Sequence, residues 1–160
     1  MILINFKTNS DISNWRIVND VVMGGKSNSS LSSDEYGYGV FSGKVSLENN
    51  GGFSMVQYKF EPKDIKKFTK VCMRLKGDGK PYQFRIKRDI SDKHSYVIPF
   101  VTSGEWETIE IPLNAMQPTF RGRKLDIRNF QSAQMEMIAF LIGNKKAESF
   151  MLTIDSIMLK

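Results

Sequence analysis

Cysteine is almost absent from this chain. The single Cys72 excludes an intramolecular disulfide and a cysteine-rich zinc site. It stands in an alternating run, where a small buried apolar side chain is the expected role rather than a reactive thiol. Histidine is as scarce: His94 is the only one, set in the polar stretch 89–95. Any Ser-His-Asp or Cys-His site would have to use it, and nothing near it resembles a nucleophile elbow, so it reads as a loop histidine. No run approaches the ~20 apolar residues of a membrane span. The apolar opening, Met1-Ile-Leu-Ile, is too short for a signal-peptide core and no basic region precedes it. The expectation is a cytoplasmic protein without a membrane span.

Amphipathic helices of useful length are also missing, and what replaces them is alternation. Phe41, Gly43, Val45 and Leu47 alternate with polar neighbours, as do Val56, Tyr58 and Phe60. The same period governs Val71, Met73 and Leu75, then Tyr82, Phe84 and Ile86, then Ile109, Ile111 and Leu113. Met135 to Ile142 is nearly continuous apolar, the pattern of a strand buried on both faces. Phe150, Leu152 and Ile154 begin a last strand. The breaks are rich in Gly, Asn and Asp (48–52, 77–79, 143–144), residues that tolerate the positive φ of a reversing chain. Nine or so strands with such turns predict an antiparallel β-sandwich, one domain over residues 1–160. A single helical turn is expected at Asp64–Phe68, and a long non-strand segment from Asn114 to Ser132.

The formal charge is +6 and the pI about 9.4, which favours acidic partners. Lys and Arg are scattered, however, the densest group being Lys63, Lys66, Lys67 and Lys70. No nucleic-acid module accompanies them, so nucleic acid is not an expected partner.

The stretch least explained by propensity is Asn19-Asp-Val-Val-Met-Gly-Gly-Lys-Ser27. Its end could pass for a phosphate-binding P-loop, but the first glycine of that motif is replaced by Asp20 and no helix follows. What remains is a glycine-dependent loop. Asn19 and Asp20 can bond neighbouring backbone, Gly24 and Gly25 let the chain turn, and Val21, Val22 and Met23 would tuck beneath as a lid on the core.

Trp15, Asn19-Asp20-Val-Val-Met23-Gly24-Gly25-x-Ser27, Phe41-Ser-Gly43, Glu48-Asn49-Asn50-Gly51-Gly52-Phe53, Gly77-Asp78-Gly79, Glu105-Trp106, Phe120-Arg121-Gly122 and Phe150-x-Leu152-x-Ile154-Asp155 follow one another in order. Together they resemble the complex I intermediate-associated protein 30 family over essentially the whole chain. The resemblance implies an all-β, galactose-binding-domain-like jelly-roll sandwich. It also implies a non-enzymatic assembly role with a protein partner, complex I assembly intermediates in the mitochondrial members, and no cofactor. This chain shows no Arg-rich presequence and is similar to a stand-alone bacterial member.

The candidate contact residues are Asn19, Asp20, Met23, Gly24 and Gly25 on the opening loop, with Glu48, Asn49, Asn50 and Asp78 on loops that would rim the same site. Trp106 is placed opposite in register to Ile109 and Ile111, so it should point outward, where it could stack on a saccharide or a partner. Trp15 is expected to plug the core. Arg121 and Arg123 flank Gly122 and suit carboxylate or phosphate recognition. A carbohydrate ligand is the alternative reading. Four carboxylates, Asp20, Glu48, Asp78 and Glu105, could meet at one sandwich end as in glycoside hydrolysis. Asp155 resembles the terminal aspartates of jelly-roll carbohydrate-binding modules, some of which hold calcium. Calcium needs six to eight oxygens, so Asp155 stands as a candidate ligand but no metal is expected from it alone.

Overall fold

Alternating apolar residues can be buried on one side only if strands pair, and here they pair into two antiparallel sheets. The computed structural model describes residues 1–9, 11–20 and 24–160, with Asn50 as backbone only. Among the described residues thirteen strands run in chain order: β1 (Ile2–Asn5), β2 (Trp15–Asn19), β3 (Asn28–Ser33), β4 (Gly39–Val45), β5 (Ser54–Asp64), β6 (Lys70–Lys76) and β7 (Pro81–Lys87). They continue as β8 (Ser95–Val101), β9 (Trp106–Pro112), β10 (Gln117–Phe120), β11 (Arg123–Lys124), β12 (Gln134–Ile142) and β13 (Glu148–Leu159). One sheet has the order β3-β4-β13-β6-β9, with β1 also on β13, and the other β11-β10-β8-β7-β12-β5-β2.

The register explains the core. In the seven-stranded sheet, Trp15, Tyr58, Ile138, Ile86, Tyr96 and Pro118 form one cross-strand row. Ile17, Val56, Phe140, Phe84 and Ile98 form the next. These rows face Phe41, Leu75, Phe150, Leu152 and Ile154 of the other sheet in one apolar cluster. Trp15 is buried, stacked between Phe6 at 5.7 Å and Tyr58 at 5.0 Å. A bulge between Ile154 and Ser156 shifts the parity of β13, so that Ile157 and Leu159 rejoin the core after Ile154.

Two expectations are corrected. Asp64 closes β5, and the residues after it make a turn in which Phe68 N–H donates to Ile65 O at 3.0 Å, not a helical turn. The segment from Asn114 to Ser132 is not free of strands, since it contains β10 and β11, joined by a two-residue hairpin loop. Both central residues of that loop, Arg121 (φ 51°) and Gly122 (φ 76°), are left-handed, as a type I′ turn requires. Among the described residues no helix is long and apolar enough to cross a membrane.

Candidate functional site

The opening loop is built around a buried charge. Asp20 follows β2 and has no exposed surface. Its Oδ1 accepts Ser27 N–H at 2.9 Å, and its Oδ2 accepts Gly52 N–H at 2.6 Å, Phe53 N–H at 3.3 Å and the Ser27 hydroxyl at 2.5 Å. Burial alone would raise this carboxyl, but the donors outweigh it and hold the group below the ordinary carboxylate range. One aspartate therefore ties Ser27 to Gly52 and Phe53. Gly25 is needed for the same reason, because a Cβ there would overlap the Asp20 carboxylate. Gly24 differs: its φ is +85° but open space surrounds it. Met23, with Val21 and Val22, lies outside the described residues.

This separation gives a first prediction. Gly25→Ala should lose about 2 kcal/mol by overpacking, and Gly24→Ala about 1 kcal/mol from the left-handed backbone alone. Equal shifts in urea denaturation would show that Gly25 is not constrained by Asp20.

Gly52 and Phe53, which Asp20 holds, form one wall of a cleft on the outer face of the seven-stranded sheet. The cleft has a volume of about 650 Å³ and is lined by Met55, Arg85, Arg121, Gly122, Leu141 and Gly143 besides these two. Register places its floor. Arg16, Gln57, Ala139, Arg85 and Val97 form one outward row, and Val18, Met55, Leu141, Gln83 and Pro99 the next. Lys59, Met137 and Lys87 form a third. No Asp or Glu stands in these rows or among the lining residues. Arg85 is half-buried, and its Nε and Nη2 donate to Gln83 Oε1 at 3.2 and 3.0 Å. Burial pulls its guanidinium below the usual range. Burial also pulls down the Lys87 ammonium, with Lys59 and Arg85 adding to the effect and Asp92 opposing it.

The other sequence candidates are scattered. Arg121 lines the cleft, whereas Arg123 is exposed on β11 outside the lining. Asn19 pairs with Ser54 at the end of β2, Asn49 is exposed with φ 54°, and Glu48 pairs with Lys26 at 3.7 Å. Asn50 completes the short 3-10 turn Glu48–Asn50. Asp78 accepts Met151 N–H at 2.9 Å and the Tyr82 hydroxyl at 3.0 Å, which joins β7 to β13. Trp106 is half-buried on the outward register of β9, against Tyr38 at 4.6 Å and beneath Arg74 at 5.6 Å. The four carboxylates do not form one set: Asp20 and Asp78 bond different backbone segments, and Glu105 is exposed. Asp155 is half-buried, and no group of three metal-ligating side chains occurs among the described residues.

A family model for complex I intermediate-associated protein 30 (CIA30) matches residues 4–154. The chain belongs to this family. Complex I intermediate-associated protein 30, mitochondrial, from Mus musculus is 24% identical over 176 residues, covering 95% of this chain and 53% of that protein. The chain thus spans about half the length of the mouse relative. In three dimensions the CIA30 chain is similar to a family 11 carbohydrate-binding module from Clostridium thermocellum in complex with a β-1,3-1,4-mixed-linked tetrasaccharide. That match has a TM-score of 0.72 at 21% identity and covers 99% of this chain and 93% of that one. The family 11 module of the Clostridium thermocellum cellulase Lic26A-Cel5E gives a TM-score of 0.73 at 20% identity, covering 99% and 92%. The fold that these matches share is the jelly-roll sandwich.

Sequence reasoning missed Arg85, Phe53, Met55 and Leu141. Arg85 is an unremarkable polar position in an alternating strand, and its significance appears only once register puts Ala139 beside it and no carboxylate nearby.

Proposed function

We propose that this CIA30-family chain is a non-enzymatic binding module of the cytoplasm that holds a protein partner in the manner of an assembly factor. Intermediates of a respiratory complex are the partner class that the mouse relative's name suggests. The observation that carries this reading is the cleft of about 650 Å³, which combines two arginines with apolar walls. A non-catalytic role is further supported by the use of Asp20 and Asp78 as backbone acceptors.

Met55→Trp tests the reading by filling the cleft. Wild-type tagged chain recovered from native cells should carry a reproducible partner that the variant loses, with thermal midpoints alike. A partner retained by Met55→Trp would move the contact elsewhere, and no reproducible partner would defeat the reading.

The saccharide alternative draws on the fold likeness and on the aromatic group of Tyr36, Tyr38 and Trp106. Tyr38 and Arg74 already occupy the surroundings of the Trp106 ring, which leaves less of it for a sugar. A glycan array should show no saturable binding. Binding abolished by Trp106→Ala would reverse the order of the two readings.

A further inference from the structure

Arg85 is a half-buried cation without a counter-charge. It forms no ion pair among the described residues, and Gln83 takes two of its donors. A guanidinium carries five N–H donors in a fixed fork, so the rest of the fork remains for another acceptor. Removing such a charge from water without pairing it is costly, and an arriving anion would recover that cost. The surroundings sharpen the point: Lys59 and Lys87 stand in the neighbouring row, and every formal charge lining the cleft is positive.

Arg121 supplies an independent observation. It occupies the first central position of the type I′ turn at φ 51°, where Asn, Asp or Gly is favoured and a long side chain is strained. Its guanidinium lies 5.2 Å from the centre of the Phe120 ring, which steadies it beside the cleft it lines. The sequence thus keeps an arginine on strained backbone at the rim of a cleft that already contains another. Strain of this kind collects at binding sites.

The walls select among anions. Phe53, Met55 and Leu141 are apolar, so a small, fully hydrated ion would leave them unused. A carboxylate carried beside an apolar side chain would use both parts of the site. Arginine forks bind carboxylates through paired N–H donors, more strongly than neutral acceptors.

We propose that the cleft is a carboxylate receptor that takes an acidic peptide segment of the protein partner. Arg85 is the half-buried anchor, Arg121 the second guanidinium, and Phe53, Met55 and Leu141 the seat for the adjoining apolar side chain. The proposal rests on the reading of the chain as a protein-binding module. It adds the chemistry that the partner must present.

Selection of random dodecamer peptides displayed on phage against the purified full chain tests it. Enriched peptides should share Asp or Glu next to an apolar residue, above the frequency of the starting library. Fluorescence anisotropy with the best peptide should then show binding roughly tenfold weaker for Arg85→Gln and several-fold weaker for Arg121→Gln. Replacing the peptide's acids by their amides should weaken it at least as much, and raising salt from 50 to 500 mM should weaken it further. Arg121 is exposed in a turn, so its variant reports on binding if Arg85→Gln disturbs folding. Peptides without acid enrichment, or equal binding by both variants, would overturn the proposal. If no peptide is enriched while the native partner is still lost in Met55→Trp, the carboxylate chemistry falls and the module reading stands. If acidic peptides bind but native cells yield no partner, the module reading falls and the receptor chemistry stands.

Discussion

Replacing Asp20 by alanine should cost about 4 kcal/mol and lower the thermal midpoint by roughly 10 °C. The size follows from what the carboxylate satisfies. Three backbone N–H groups and one hydroxyl donate to it, and it is fully buried. Hydrogen bonds to a charged acceptor contribute about 1.5–3 kcal/mol each, and donors stranded in the interior cost about 1–3 kcal/mol apiece. These terms overlap, because residues 24–27 and 51–53 can move to admit water, so their sum is an upper bound. Asp20→Asn should cost less, since one oxygen is kept, but it presents an N–H₂ group to N–H donors.

The sign of the pH effect is fixed by the same bonds. The folded carboxyl of Asp20 lies below its ordinary value. Its contribution is therefore complete above the unfolded value of about 4 and is lost as pH falls through the lower folded value. Urea midpoints measured from pH 6 down to pH 2 should show a drop in the wild type that is shallower in Asp20→Asn. Identical slopes would mean that other carboxyls carry the acid lability. Because Gly52 and Phe53 are both bonded to Asp20 and line the cleft, partial loosening should also weaken partner binding.

Phe140→Ala should be comparably severe, at about 4 kcal/mol. Phe140 is fully buried in the C-terminal half of β12, paired to Phe84 on one side and Val56 on the other. Its ring lies 5.4 Å from Phe84 and 6.3 Å from Phe100. A central strand held by two neighbours cannot collapse readily into the space, so most of the cavity would persist. Phe140→Leu should cost about half as much or less. Met151→Ala, on an exposed position of β13, should change stability by no more than about 0.5 kcal/mol. Urea unfolding of the three variants checks the order, and a small loss in Phe140→Ala would show that the core repacks.

The sandwich was legible because its inner strands alternate so plainly. Tyr82-Gln-Phe84-Arg-Ile86 announces β7, and the nearly continuous apolar run of β12 announces a strand between two neighbours. The edges were not. β3, Asn-Ser-Ser-Leu-Ser-Ser, has one large apolar side chain, since an edge strand contributes little to the core. The β10–β11 hairpin was hidden because Arg-Gly fills the turn where Asn-Gly would have signalled it. Arg121 could be named from sequence as a candidate for carboxylate or phosphate recognition, but Arg85 could not, because the two are far apart in the chain and only the fold places both along one cleft. The signature loop was legible as glycine-dependent. Its role as the support behind Gly52 and Phe53 emerges only from the hydrogen bonds of Asp20.

The long strand β13 has a consequence for synthesis. It lies between β4 and β6 and also carries β1, yet it follows all the other described strands in the chain. A nascent chain that has emerged only to residue 147 can assemble β3 with β4 and β6 with β9, but these remain two separate ribbons with β1 unattached. The other sheet has all its members by residue 142 and would have to wait with its apolar face uncovered. Until residue 159 has left the ribosome, the apolar face of the seven-stranded sheet therefore lacks its full cover and is open to misassociation. A chaperone that shields the seven-stranded sheet in that interval would protect the fold more than one acting later.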